Sequence, residues 1–317
     1  MTSEDSRVSL LFAIDGGYAM PLACALWSAV SRCRLPVDAW VIDGGLTCAD
    51  RVRLAEVVRR ARADSRLRFL PAPASAFAEM VTPGHLTRAT YLRLLLGELL
   101  PRDVRRVIYL DSDLVVLGDL SEVWDLPSEG SAIWAARDQM EPIWGEVPGA
   151  RVACATMRWD VGTPYFNAGV MAVDCEAWRA LDIAGRVTEY TNRHAGDITH
   201  GDQDGLNVVF AGRWSELPAE WNVQMAAWFR SKEVYDRGEI LHFTGVGKPW
   251  NPGYRHERDA ATHFFAVLRK SGWLSTGELA AFGLTRRLPQ RAIAMAIAGR
   301  NRFLGKVRGG GCRGGLR

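Results

Sequence analysis

Val107-Ile108-Tyr109-Leu110-Asp111-Ser112-Asp113-Leu114-Val115-Val116-Leu117 is the stretch on which the fold turns. Four apolar residues run into two carboxylates, and four more apolar residues follow. A short apolar run of this kind predicts a buried parallel strand. At i and i+2 on an extended backbone, Asp111 and Asp113 point to the same side. Ionised carboxylates in such surroundings are costly unless something pairs with them. Two hard oxygen ligands at the carboxyl end of a strand suit one divalent cation, in the place where open α/β sheets bind ligands. The other reading of the same residues is a turn whose aspartates accept backbone hydrogen bonds.

Upstream, Val8–Ile14 reads as a first strand ending at Asp15-Gly16-Gly17-Tyr18, and a helical pattern follows to about Ser31. A second strand at Val37–Ile42 ends in Asp43-Gly44-Gly45, a charged amphipathic helix covers 49–62, and Leu67–Leu70 is a short third strand. This βαβαβ alternation predicts an α/β fold with a mostly parallel sheet covered by helices. The Gly-Gly turns suit close approach of backbone to a ligand, but they lack the GxGxxG spacing of a dinucleotide site. Leu86–Leu100 predicts a helix stopped by Pro101, with Leu86, Thr90 and Arg93 on one face. Arg93 among leucines either snorkels to solvent or reaches an anion.

Downstream, Ile133–Ala136 reads as a strand ending at Arg137-Asp138, and Met140–Gly162 as an irregular lid or acceptor loop. Tyr165–Val173 enters a strand through small residues, and helices are expected at 176–194 and 203–211. Asp202 and Asp204 open the second of these, where an aspartate is the ordinary cap. Ile240–Trp250 joins a strand-end histidine, His242, to a glycine loop and Lys248. Taken singly, such residues are structural or solvated; together they flank a loop able to approach a phosphate.

The chain's 317 residues allow one large α/β domain or two smaller ones, and 48% hydrophobic against 24% charged residues supports a sizeable core. Twelve tryptophans suit sugar-stacking platforms as well as interior packing. Six cysteines without a CxxC pair argue for reduced thiols in the cytosol. The acidic start Met1-Thr2-Ser3-Glu4-Asp5 is unlike a signal peptide, and no apolar run is long enough to span a bilayer. From Arg286 onward there are nine Lys or Arg and no Asp or Glu, more than the whole chain's net charge of +3. That tail, 286–317, contains Ala292–Ala298 and ends in glycines, so it reads either as a segment lying on an anionic membrane or as a disordered end. No nucleic-acid partner is expected.

In this order, Ala13-Ile14-Asp15-x-x-Tyr18, Thr90-Tyr91-Leu92-Arg93-Leu94, Tyr109-Leu110-Asp111-Ser112-Asp113, Tyr165-Phe166-Asn167-Ala168-Gly169, Asp202-Gln203-Asp204 and His242–Trp250 resemble family 8 glycosyltransferases. These are retaining enzymes that include bacterial lipooligosaccharide α-galactosyltransferases and glycogenin. The resemblance covers roughly residues 8 to 255. It implies one GT-A domain over 1–285, with a Rossmann-like nucleotide half merged with an acceptor half. It implies a UDP-sugar donor and Mn2+ or Mg2+, with Asp111, Asp113 and His242 holding the metal and Ser112 between the two carboxylates. A mixed carboxylate and imidazole set suits Mn2+ better than Ca2+. By the same resemblance, Gly245 and Lys248 support the diphosphate, Asp15 and Tyr18 hold the uridine, and Thr90 and Arg93 contact the donor. Asp138, Asn167, Ala168, Asp202 and Gln203 line the sugar pocket; Gln203, Asp202, Asp138 and Arg93 are the residues closest to the chemistry.

The implied reaction moves galactose or glucose to an acceptor hydroxyl, of a cell-surface or lipid-linked glycan or else of a protein or secondary metabolite. It would take place in the cytoplasm, with the tail meeting the inner face of the membrane. Charge builds on the departing UDP, where a cation, Lys248 and Arg93 can stabilise it. A double-displacement route would need a carboxylate nucleophile, drawn from Asp202 or Asp204, since the amide of Gln203 is a poor one. The favoured route is front-face internal return, with a UDP phosphate oxygen taking the acceptor proton and Gln203 stabilising the developing positive charge. One position departs from the family, Gly17, where many members carry Asn. A sugar-1-phosphate nucleotidyltransferase would need a Gly-rich, Arg-containing loop after the first strand, which Asp15-Gly16-Gly17-Tyr18 does not supply. A catalytically silent binding protein need not keep three metal-ligand candidates.

Overall fold

A computed structural model describes residues 7–278 apart from 78, 81, 84–86, 128–129, 150–153, 156, 252–253 and 255–257. The basic tail and the expected boundary at 285 lie outside the described residues.

The first half alternates as expected. β1 (Val8–Ile14), α1 (Ala19–Arg32), β2 (Val37–Asp43), α2 (Cys48–Ala61) and β3 (Arg66–Pro71) follow one another, and β1, β2 and β3 pair in parallel. Most of α1 is buried, from Ala19 to Val30, and Pro21 falls in its first turn, where the missing N–H has no intrahelical partner anyway. α2 is amphipathic: Leu54, Val57 and Val58 are buried. A capping box fixes its start, with Thr47 accepting from the Asp50 N–H and Asp50 accepting from the Thr47 N–H. The two Gly-Gly turns touch each other, since a Cβ on Gly16 would lie 2.5 Å from the Gly45 carbonyl oxygen.

The expected helix at 86–100 is a 3-10 turn at Arg88–Leu95 followed by a single α turn, α3 (Leu96–Leu99). Tyr91 to Leu95 are all buried, so the one-sided stripe of a surface helix is absent. β4 (Arg106–Leu110) pairs parallel with β1 and antiparallel with β7 (Phe166–Asp174). The seven-stranded order is β3-β2-β1-β4-β7-β6-β8, with β6 at Ile133–Arg137 and β8 at Trp214–Glu216. This is a mostly parallel sheet with helices on both faces, as the GT-A expectation requires.

The run 107–117 is not one strand. The chain leaves the large sheet at Asp111, whose N–H donates to the Gly169 carbonyl at 2.8 Å. It enters a second sheet at β5 (Leu114–Val116), which pairs antiparallel with β10 (Ile240–His242); β10 pairs parallel with β9 (Val223–Gln224). Crossing between sheets turns both carboxylates out of the core. The expected helix 176–194 is also two, Cys175–Ala180 and Ile183–Arg193, broken where Asp182 adopts φ 45°. The helix opened by Asp202 runs Asp202–Val209.

Candidate active site

β1 and β4 end at one edge of the sheet, at Asp15 and Asp111. Because β7 runs antiparallel to β4, with Leu110 opposite Val170, the start of β7 brings Asn167, Ala168 and Gly169 to the same edge. β10 carries His242 there from the second sheet. These ends open on a cavity of about 490 Å³.

Asp15, Tyr18, Thr90, Arg93, Asp111, Ser112 and Asp113 line this cavity. So do Asp138, Asn167, Asp202, Gln203, His242, Gly245 and Lys248. Ala168 is buried behind the wall, where its carbonyl accepts from Arg93 Nη1 at 2.7 Å and its N–H donates to Gln203 Oε1 at 3.0 Å.

Ligand atoms of Asp111, Asp113 and His242 all lie within 4.8 Å of one another. His242 Nε2 is 3.6 Å from Asp111 Oδ2 and 3.3 Å from Asp113 Oδ1, while its Nδ1 meets Asn222 Oδ1 at 2.9 Å. Asp111 accepts from the Tyr109 hydroxyl at 2.6 Å, and Asp113 from Lys248 Nζ at 2.5 Å. Side chains, rather than the amides of a turn, satisfy both. Gly169 completes the cradle, since a Cβ there would lie 2.2 Å from His242 Cε1 and 2.8 Å from Asp111 Oδ2. Two carboxylates and an imidazole nitrogen around one small space fit a divalent transition metal.

Arg93 does not snorkel. Its side chain is 7% exposed, and its guanidinium lies 3.3 Å from Asp111 Oδ1 and 2.9 Å from Asp202 Oδ2 and stacks on the Tyr109 ring at 4.9 Å. Its Nε–H points instead at the Thr90 carbonyl, 2.9 Å away. One cation thus serves two carboxylates, and burial pushes Asp202 up to about 7 against the pull of Arg93. Asp138 Oδ1 accepts from the N–H groups of Met140 and Glu141, and Oδ2 from Asn167 Nδ2 and Gln203 Nε2. Asp204 faces away from the cavity: it accepts from the Tyr165 hydroxyl and the N–H groups of Thr199 and His200. Those bonds remove it from the nucleophile candidates.

Sequence reading missed Glu141, His200, Thr87 and Gln224, which also line the cavity. The His200 imidazole bonds the Glu141 carboxylate. Burial pushes that imidazole down, but Glu141 and nearby aspartates outweigh it and raise it above the usual range. Their one signal was spacing: Glu141 is three positions after Asp138, and His200 three before Gln203.

The family model described as "Glycosyl transferase family 8" matches residues 9–252. The chain belongs to this family. It is 28% identical over 285 residues to General stress protein A of Bacillus subtilis, covering 84% of this chain and 96% of that one. It is 27% identical over 174 residues to the lipopolysaccharide 1,2-glucosyltransferase of Escherichia coli, 52% of this chain and 50% of that one. Among solved structures, the galactosyltransferase LgtC in complex with donor and acceptor sugar analogues superposes with TM-score 0.70 at 25% identity, covering 90% of this chain and 98% of that chain. This family 8 glycosyltransferase contains, among its described residues, no helix long and apolar enough to cross a membrane.

Proposed function

We propose that the protein transfers a hexose, galactose or glucose, from a UDP-sugar to a hydroxyl of a cell-surface or lipid-linked glycan, with retention at the anomeric carbon. The observation that carries this reading is the meeting of Asp111, Asp113 and His242 with Lys248 in the same cavity as Arg93, Asp138 and Gln203. A Mn2+ ion held by Asp111, Asp113 and His242 would supply positive charge to the diphosphate of the leaving group. Asp15 and Tyr18, at the end of β1, would take the nucleoside, and Lys248 would follow the phosphates as negative charge develops.

Retention by double displacement would need a free carboxylate behind the anomeric carbon. Asp202 sits against Arg93 and Asp204 is fully engaged, which supports the front-face route. Gln203 is held by three contacts, to the Ala168 N–H, Asp138 and the Tyr165 hydroxyl. Its amide oxygen is therefore fixed in orientation, as a group that stabilises positive charge on the sugar must be. The basic tail, 286–317, is the part proposed to meet an anionic membrane, and its deletion should abolish sedimentation with anionic liposomes.

The test is UDP release from a panel of UDP-sugars without acceptor, with Mn2+ and then with EDTA. Slow release from UDP-galactose or UDP-glucose that stops with EDTA and in Asp113→Asn is the expected result. Release that ignores EDTA, or no release and no thermal shift with UDP and Mn2+, would overturn the reading.

A further inference from the structure

We propose that Asn222 is a positioning residue, which holds His242 as the Nδ1–H tautomer with its unprotonated Nε2 turned toward Asp111 and Asp113. The inference rests on the metal reading above and concerns a side chain that lies behind the cavity wall. Asn222 is 0% exposed, in the 3-10 turn Ala219–Asn222 just before β9.

The argument is one of hydrogen-bond polarity along a buried chain of four side chains. Asn167 Nδ2 meets Asp138 Oδ2 at 3.1 Å, and Asn167 Oδ1 meets the Gly169 N–H at 3.0 Å. A carboxylate can only accept and a backbone N–H can only donate, so these two neighbours fix which way the Asn167 amide faces. Asn222 meets Asn167 Oδ1 at 3.0 Å and must therefore present its Nδ2 there. Its own Oδ1 is then left for His242 Nδ1, at 2.9 Å. An amide oxygen only accepts, so Nδ1 carries a proton, and in the neutral ring the lone pair is on Nε2. That lone pair faces Asp111 Oδ2 and Asp113 Oδ1, at 3.6 and 3.3 Å.

Two consequences follow for the site. A metal-ligating histidine gains affinity when its other ring nitrogen is held by a fixed acceptor, and Asn222 supplies that acceptor from an element carrying no ligand itself. The same chain ends on Asp138, so the metal ligand and the sugar pocket share one polar network. Breaking it at Asn222 leaves the His242 ring without its guide and Asn167 Oδ1 with one donor fewer.

Two measurements test this. In wild-type protein, metal-free and with diamagnetic Mg2+, the 15N resonances of His242 should show a proton on Nδ1, and Mg2+ should leave Nε2 without one; an unprotonated Nδ1 overturns the proposal. Second, Mn2+ affinity is read from the electron paramagnetic resonance of free ion. Asn222→Leu should weaken it by about 10- to 100-fold, while Asn222→Asp, which keeps an acceptor for Nδ1–H but gives up the donor to Asn167 Oδ1, should lose clearly less. Urea unfolding in EDTA separates lost binding from lost folding. Wild-type affinity in a folded Asn222→Leu variant overturns the proposal, as does equal loss in both variants. If Asn222→Leu does not fold, the wild-type tautomer and the Asn222→Asp affinity decide. Failure of wild type to bind Mn2+ sinks the metal reading instead, and leaves the tautomer to be judged on its own resonances.

Discussion

Lys248 Nζ lies 2.5 Å from Asp113 Oδ2, joining residues 135 positions apart on the cavity floor. The same ammonium donates to the Phe243 carbonyl at 2.5 Å. Burial pushes the Asp113 carboxyl up, but the charge of Lys248 and its hydrogen bond more than offset it and hold it well below the usual carboxylate range. Lys248→Met is expected to lower stability in EDTA by about 3 kcal/mol, as for one broken half of a buried pair. Mn2+ should restore much of that loss by taking up Asp113. Urea unfolding gives the number, and an unchanged midpoint in EDTA would contradict the pairing.

Gly169→Ala puts a methyl group where His242 Cε1 and Asp111 Oδ2 now sit, at 2.2 and 2.8 Å. Both side chains must move, and they are two of the three candidate metal ligands. The expected outcome is a folded protein whose Mn2+ affinity drops by about tenfold or more, read by calorimetric titration. Unaltered affinity would mean that the ligand triad is placed elsewhere.

Tyr18 is proposed to stack on the nucleobase. Burial, with Asp113, Asp15 and Asp111 nearby, pushes its phenol up to about 12, so the ring is neutral at any working pH. Tyr18→Ala should weaken UDP binding by roughly tenfold, the lower end of what base–aromatic stacking contributes. Tyr18→Phe keeps the ring and should bind nearly as well. Equal losses in both would point to the hydroxyl instead.

The His200–Glu141 pair predicts a pH dependence. The His200 imidazole is raised in the folded state, so its contribution is fully present below about pH 6.5 and lost as pH rises through the folded value. His200→Gln should therefore lower the urea midpoint more at about pH 6 than at about pH 9. A deficit of the same size at both would show that the pair does not titrate as described.

Much of the site was legible because its residues sit at strand ends in short, distinctive groups. Asp15 after β1, Asp111-Ser112-Asp113 after β4 and His242 at the end of β10 each follow an apolar run that announces the strand. Arg93 was readable as an arginine among leucines, with its anionic partners Asp111 and Asp202 unforeseen. Asn222, Glu141 and His200 gave no comparable sign, since a polar residue in a turn or loop looks solvated until its neighbours are known.

Period and punctuation along the chain determined the βαβαβ half and the strand-end positions of the carboxylates, and six ordered motifs carried the resemblance to the family. Tertiary structure alone decided that 107–117 breaks between two sheets, that β7 runs antiparallel and so delivers Asn167 and Gly169 beside Asp111, and that Asn222 meets His242. Local patterns carry burial and backbone preference over a few residues. Pairing partners, and the polarity of a hydrogen-bond chain running from residue 138 to 242, exist only once distant segments have met.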